Sequence, residues 1–273
     1  MCEITGCGKH RNMPPIKLSD LDRRLFLKGL ASLPLATVLA FPELSRAAAG
    51  KTDTISLTTA GGRTVSAAIA MPEADNAPAV LLIHEWWGLN DQIKSVAAEL
   101  ASLGFIALAV DLYGGEMADT PDGARALMQA VDGDAATDIL VSWIDFLKNH
   151  ESANGKVGTM GWCFGGGWSL NASLATPVDA TIVYYGNVAK QPADLASLQS
   201  PVLGHFATED SWINQDMVSG FESAMQSAGK SDLSVHWYEA DHAFANPTSA
   251  RYDADDAALA WERTTEFLRD NLS

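Results

Sequence analysis

Lys156-Val157-Gly158-Thr159-Met160, followed by Gly161-Trp162-Cys163-Phe164-Gly165-Gly166-Gly167, is the stretch that decides the fold. The first five residues read as a short strand. The residues after the elbow read as a helix running to Ala175. A turn this sharp from strand to helix crowds the Cβ of the turn residue against the positions two before and two after it. Gly161 and Gly165 stand at those positions, so Cys163 occupies the nucleophile's place in a Gly-x-nucleophile-x-Gly elbow. The positive end of the helix dipole there favours a thiolate and a developing oxyanion. The N–H of Phe164 is placed to bind that oxyanion. The competing reading is a glycine-rich turn around a buried, inert cysteine.

Outward from the elbow the chain alternates between strand and helix. Ala79–His84 and Phe105–Val110 are continuous apolar runs, as in strands buried on both faces. Asp179–Tyr184, Pro201–Ala207 and Leu233–Tyr238 read as further strands. Helices are expected at Asp91–Leu103, Asp122–Val131, Ala135–Asn149, Ile213–Ala228 and Asp255–Leu272. Thr54–Thr59 and Thr64–Met71 flank Gly61-Gly62 and predict a hairpin. This order predicts an α/β fold, a mostly parallel central sheet with helices on both faces. Residues 50–273 are expected to form one domain, without repeats or linkers.

An elbow needs a base and an orienting acid, in chain order nucleophile, acid, base. Asp210 follows strand Pro201–Ala207, and His242 follows strand Leu233–Tyr238. His242 would take the thiol proton, and Asp210 would hold the imidazole tautomer. Glu209 is the adjacent rival for the acid. Asp241 is a poorer one, because neighbouring side chains rarely converge on one ring. His205, inside a buried strand, reads as a hydrogen-bonded core residue. His150 reads as a surface residue at a helix end, and His236 as a strand-face residue. No histidine pair has zinc-ligand spacing, so the site is expected to need neither metal nor cofactor. His84-Glu85-Trp86-Trp87-Gly88 closes another strand, where this architecture supplies the second oxyanion N–H, assigned to Trp86. Glu85 would then lie near Cys163, in surroundings that raise its pKa. Five of the eight tryptophans (Trp86, Trp87, Trp162, Trp168, Trp212) lie on or beside these motifs and suggest an aromatic-walled cleft.

The chain carries 34 acidic and 18 basic residues, a formal charge of −16. That balance argues against nucleic acid and anionic lipid as partners. Residues 1–49 nevertheless hold seven basic and four acidic side chains, leaving 11 basic and 30 acidic in residues 50–273. Arg23-Arg24-Leu25-Phe26-Leu27-Lys28 precedes an apolar run from Gly29 to Phe41. Small-x-small cleavage sites follow at Ser45–Ala47 and Ala47–Ala49. This is signal-peptide grammar, and the run is too short to span a bilayer. It resembles a bacterial twin-arginine export signal, with Asp22 departing from the pattern; a Sec signal or a retained anchor is the alternative. The expected setting is periplasmic or secreted, with the export machinery as a partner. Cys2 and Cys7 fall in the leader, so Cys163 is the lone cysteine of the expected domain.

Taken together, His84–Gly88, Asp111-Leu112-Tyr113, Gly161–Gly166, Thr208-Glu209-Asp210 and Asp241-His242-Ala243-Phe244 resemble the dienelactone hydrolase (carboxymethylenebutenolidase) family of the α/β-hydrolase superfamily. The resemblance runs from about Ala79 to the last helix. It implies a Cys163–His242–Asp210 triad, with Glu85 helping to form the thiolate when substrate binds. It also implies a site role for Tyr113, although a tyrosine at a strand end equally suits structure. Trp87, Trp162 and Phe244 are the other expected substrate contacts. The family's substrate-binding arginines have no counterpart here: the positions read Gly114-Gly115 and Ala243-Phe244-Ala245-Asn246. Together with the acidic balance, this makes a neutral ester, lactone or thioester as good a candidate as dienelactone. The expectation is an exported hydrolase of small esters or lactones. A generic carboxylesterase or thioesterase without lactone preference, and a non-enzymatic thiol-sensing or binding protein, are the alternatives.

Overall fold

Strands made of apolar residues need cover on both faces, and that requirement sets the centre of the sheet. In the computed structural model, which describes residues 42–273, β3 (Ala77–Ile83) and β4 (Ile106–Val110) lie side by side, buried at every residue but Pro78. Around them run β1 (Asp53–Thr58), β2 (Thr64–Ala70), β5 (Ala153–Trp162), β6 (Ala180–Tyr184), β7 (Val202–Ala207) and β8 (Leu233–Tyr238). The eight strands form one sheet in the order β1-β2-β4-β3-β5-β6-β7-β8. Pairings β1–β2 and β2–β4 are antiparallel and all the others parallel. The expected mostly parallel sheet and its hairpin are both present.

Alternation along the strands divides the core in two. Val80 and Leu82 pack with Ile93, Val96 and Leu100 of α2 (Asp91–Ser102) and Leu268 of α7 (Ala254–Leu272). Leu81 and Ile83 face the other way, onto Leu140, Trp143 and Ile144 of α4 (Gly133–Lys148). On that second face α5 (Phe164–Ala175) and α6 (Gln215–Ser227) cover β6 and β7 through Leu170, Val218 and Phe221. The short α3 (Pro121–Ala130) lies between β4 and α4 in the chain. Helices on both faces make this the three-layer arrangement expected from the sequence.

Element bounds shift by one to three residues from the sequence expectation, two of them for evident local reasons. β5 extends to Trp162, because Gly161 and Trp162 find ladder partners in Ile83, Val183 and Tyr184 of the flanking strands. α6 begins at Gln215 instead of Ile213, because the Asn214 side chain caps it by accepting from the Met217 N–H at 3.0 Å. At the other end, the segment read as the leader's cleavage region forms α1 (Pro42–Ala49), which packs on α2 and buries Ala48 and Ala49. The Arg23-Arg24 pair, the apolar run Gly29–Phe41, Cys2 and Cys7 lie outside the described residues.

The junction of β5 and α5 leaves no room for side chains. A Cβ on Gly161 would stand 2.0 Å from the Gly165 carbonyl oxygen, and one on Gly165 would stand 2.2 Å from that of Ile83. Both obstacles are backbone and cannot swing aside. Gly161→Ala is therefore expected to lose roughly 3 kcal/mol or more of unfolding free energy in urea. Gly133→Ala, where nothing lies within 4 Å, is expected to stay within about 0.5 kcal/mol of wild type. Equal stability of the two variants would contradict the crowding argument.

Candidate active site

Cys163 is the single residue between β5 and α5, and its backbone shows the tightness of the turn. Its φ is 53° and ψ −116°, a conformation that costs a non-glycine residue about 1–3 kcal/mol. The conformation is held from both sides: the Cys163 N–H donates to Tyr184 O at 3.0 Å, and Cys163 O accepts from Gly166 N–H at 3.0 Å. Because Gly165 rests against the end of β3, the loop after that strand reaches the cysteine. The backbone N–H groups of Phe164 and Trp86 lie near its sulfur and act to lower the thiol pKa. Two backbone donors thus converge on one atom, one from the helix start and one from the β3 loop.

His84 holds that loop in place. Its Nδ1 donates to Glu85 O at 2.6 Å, and its Nε2 accepts from the Leu112 N–H at 3.2 Å. The two contacts fix the ring as the neutral Nδ1–H tautomer, and burial lowers its pKa. The adjacent Glu85 carboxyl turns inward and is 3% exposed. Asn246 Nδ2 donates to its Oε2 at 2.5 Å, and the Tyr185 hydroxyl donates to its Oε1 at 3.3 Å. Burial raises the Glu85 pKa, against the opposing effects of Asn246, His242 and Tyr185. Burial, and then the negative charge of Glu85, push the Cys163 thiol up to about 12. At neutral pH the cysteine therefore rests as a thiol.

Asp210 and His242 meet from two neighbouring strand ends. Asp210 Oδ2 accepts from His242 Nδ1 at 2.6 Å, and Oδ1 accepts from the N–H groups of Trp212 and Ile213 at 2.8 and 3.0 Å. Nε2 is thereby left as the basic nitrogen of the ring. Tyr185, at φ 35°, sets its ring 5.1 Å from the imidazole, and Trp212 stands edge-on at 5.2 Å. Burial acts to raise the Asp210 pKa, but the hydrogen bonds from His242, Ile213 and Trp212 prevail and the net displacement is downward. Asp241 is turned away into an ion pair with Arg251 at 3.0 Å, and Glu209 is exposed. Of the three acids weighed from sequence, Asp210 alone reaches the ring.

Cys163, His242 and Glu85 open onto one cleft of about 1070 Å³. Its walls include Trp86, Trp87, Trp168 and Trp212. Among the described residues no cluster of His, Cys, Asp or Glu is arranged to hold a metal ion, and no helix is long and apolar enough to cross a membrane. The dienelactone hydrolase family model matches residues 65–272. The chain belongs to the dienelactone hydrolase family. It is 31% identical over 232 residues to the carboxymethylenebutenolidase of Pseudomonas putida, an overlap of 80% of this chain and 96% of that one. It is 27% identical over 226 residues to carboxymethylenebutenolidase 1 of Cupriavidus pinatubonensis, covering 79% and 96%. A dienelactone hydrolase-like promiscuous phosphotriesterase from metagenomic libraries shares the fold, with a TM-score of 0.74 at 24% identity over 82% of this chain and all of that one. Membership makes this protein a hydrolase of carboxylic ester bonds with the α/β-hydrolase fold.

Within this dienelactone hydrolase family member, three expected substrate contacts stand elsewhere. Trp162 is 3% exposed and stacks on Tyr184 at 5.5 Å, because strand alternation sends the residue before the elbow into the α2/α7 side of the core. Phe244 is fully buried between Tyr185 and Tyr238. Tyr113 packs behind the cleft, its ring against His84 and Phe164. Trp87 does line the cleft. His205 is the core residue expected, bonded to the Tyr238 hydroxyl at 2.8 Å and to Thr264 Oγ1 at 3.0 Å. Tyr185, Asn246 and Lys190 are cleft residues that motif spacing did not single out as contacts. The available signal for Tyr185 was its place just past a strand's carboxyl end.

The direction of the Asp210 shift has a consequence for stability. A carboxyl whose folded pKa is depressed stabilises the fold above its unfolded value of about 4, and that contribution fades as pH falls through the folded pKa. Urea denaturation of wild type and Asp210→Asn at pH 6 and pH 3 should show the wild-type advantage shrinking on acidification. An advantage that grows towards pH 3 would contradict the assignment.

Proposed function

We propose that this protein cleaves small esters or lactones through a Cys163–His242–Asp210 triad assisted by Glu85. The observation that carries this reading is convergence: a strained nucleophile position, two backbone donors and a carboxylate-fixed imidazole face one aromatic cleft. In the proposed mechanism His242 Nε2 takes the thiol proton as Cys163 Sγ attacks the carbonyl carbon. The N–H groups of Phe164 and Trp86 hold the oxyanion. Collapse expels the alkoxide, which receives the proton from His242. Water then attacks the acyl-enzyme, giving its proton to His242. The second collapse releases the acid, and the thiolate recovers the proton.

Glu85 shapes the first step. Ionised Glu85 raises the thiol pKa, so deprotonation of Cys163 is favoured when the carboxyl becomes neutral. With Glu85 neutral when His242 takes the thiol proton, the compartment holds one negative charge and never two. The same electrostatics speaks against the thiol-sensing alternative, because sensor cysteines need a low pKa and good exposure. The Arg23-Arg24 leader supports export to the periplasm as part of this reading.

Steady-state hydrolysis of an activated small ester and of cis- and trans-dienelactone tests the proposal. Cys163→Ala is expected to lower kcat by about 10³-fold or more, and Asp210→Asn by about 10²- to 10⁴-fold. Retention of most activity in Cys163→Ala would sink the mechanism. Alkylation of the resting thiol by iodoacetamide at pH 7 should be slower than that of a free cysteine; a faster reaction would contradict the thiol resting state.

A further inference from the structure

The acidic chain has a cleft lined by more basic than acidic side chains. Residues 50–273 hold 30 acidic and 11 basic side chains, yet among the described residues the cleft is lined by Arg125, Lys190 and Arg251 against one acid, Glu85. Two of these cations already have counter-ions: Arg125 pairs with Asp122 at 3.2 Å, and Arg251 with Asp241 at 3.0 Å. Lys190 differs. Its Nζ donates to Asn171 Oδ1, a neutral amide, at 2.7 Å. Among the described residues, no carboxylate lies within ion-pair distance of it.

The position of Asn171 sets a length. Phe164, Trp168 and Asn171 all line the cleft from α5. They are spaced as one face of a helix. Asn171 is eight residues beyond Cys163, which is about 12 Å along the axis. Between nucleophile and ammonium the floor is apolar, made by the Phe164 and Trp168 rings with centroids 6.2 Å apart. The order along the cleft is therefore reacting centre, apolar floor, cation.

We propose that Lys190, held by Asn171, is an anion subsite, and that the preferred substrates are esters, lactones or thioesters carrying a carboxylate well removed from the scissile carbonyl. At about 1.2 Å per bond of extended chain, the separation is roughly eight to ten bonds. A compact lactone with its carboxylate beside the ring does not reach that far. This subsite rests on the hydrolase reading above. It also reverses the expectation, drawn from net charge, that an anionic substrate is repelled: the charge nearest the ligand decides, because distant surface charges are screened.

The test uses p-nitrophenyl half-esters of succinate, adipate and sebacate, each beside the methyl-ended ester of equal chain length. A second series, acetate esters of ω-hydroxy acids beside those of plain alkanols, covers the alcohol side. The readout is the ratio of kcat/KM for the carboxylate-ended over the methyl-ended ester. In one of the two series that ratio should rise with length, favouring the longest carboxylate by about five- to tenfold over the shortest. Lys190→Met should remove the rise, Lys190→Arg should keep most of it, and added salt should weaken it. A ratio that ignores length in both series, or is unchanged by Lys190→Met, would overturn the subsite. Turnover of the methyl-ended esters that does not depend on Cys163 would instead overturn the hydrolase mechanism.

Discussion

The end of β3 and the start of α5 touch through bare backbone, and the candidate site depends on that contact. A methyl group at Gly161 or Gly165 would overlap carbonyl oxygens by more than an ångström. With no side chains between them, the helix N-terminus and the β3 loop both bring a backbone N–H to bear on the same sulfur. The strain at Cys163 is the local consequence, sustained by the ladder of β5 and the first turn of α5. The Asp210–His242 pair is held in another way, by two neighbouring parallel strands that end at the same edge of the sheet.

Charge in the site is arranged by burial more than by ion pairs. Glu85 is enclosed with amide and hydroxyl donors and, among the described residues, has no lysine or arginine in ion-pair contact with it. Asn246, 2% exposed, occupies a place where the resemblance implied arginine, and it binds the carboxyl without neutralising it. The carboxyl and thiol therefore share one dry compartment, where two negative charges are unfavourable. That coupling favours a resting thiol and links formation of the thiolate to the protonation of its neighbour. The basic groups of the cleft lie further out, at Arg125, Lys190 and Arg251.

Much of this was legible in the sequence, because the decisive constraints are local. Apolar runs without alternation marked β3 and β4 as central, and glycines two positions either side of Cys163 marked the elbow. Asp210 and His242 followed from chain order, since parallel strands deliver their ends to one side. Trp162 and Phe244 were misjudged because proximity in sequence to a motif says nothing about which face a side chain takes. Trp162 precedes a reversal of direction, and Phe244 follows an Ala243 at φ 67°. Lys190 was illegible for a different reason: its significance lies in what surrounds it, an amide on α5 and, among the described residues, no carboxylate in ion-pair contact. Net charge concealed it, because a sum over the chain carries no position.

The most direct test of the central claim is intact-protein and peptide mass spectrometry of enzyme quenched during turnover of an activated ester. An acyl increment confined to the peptide bearing Cys163, and absent from Cys163→Ala, is the expected result. Turnover with Cys163 unmodified, or an increment on another side chain, would contradict the claim that the elbow cysteine is the nucleophile.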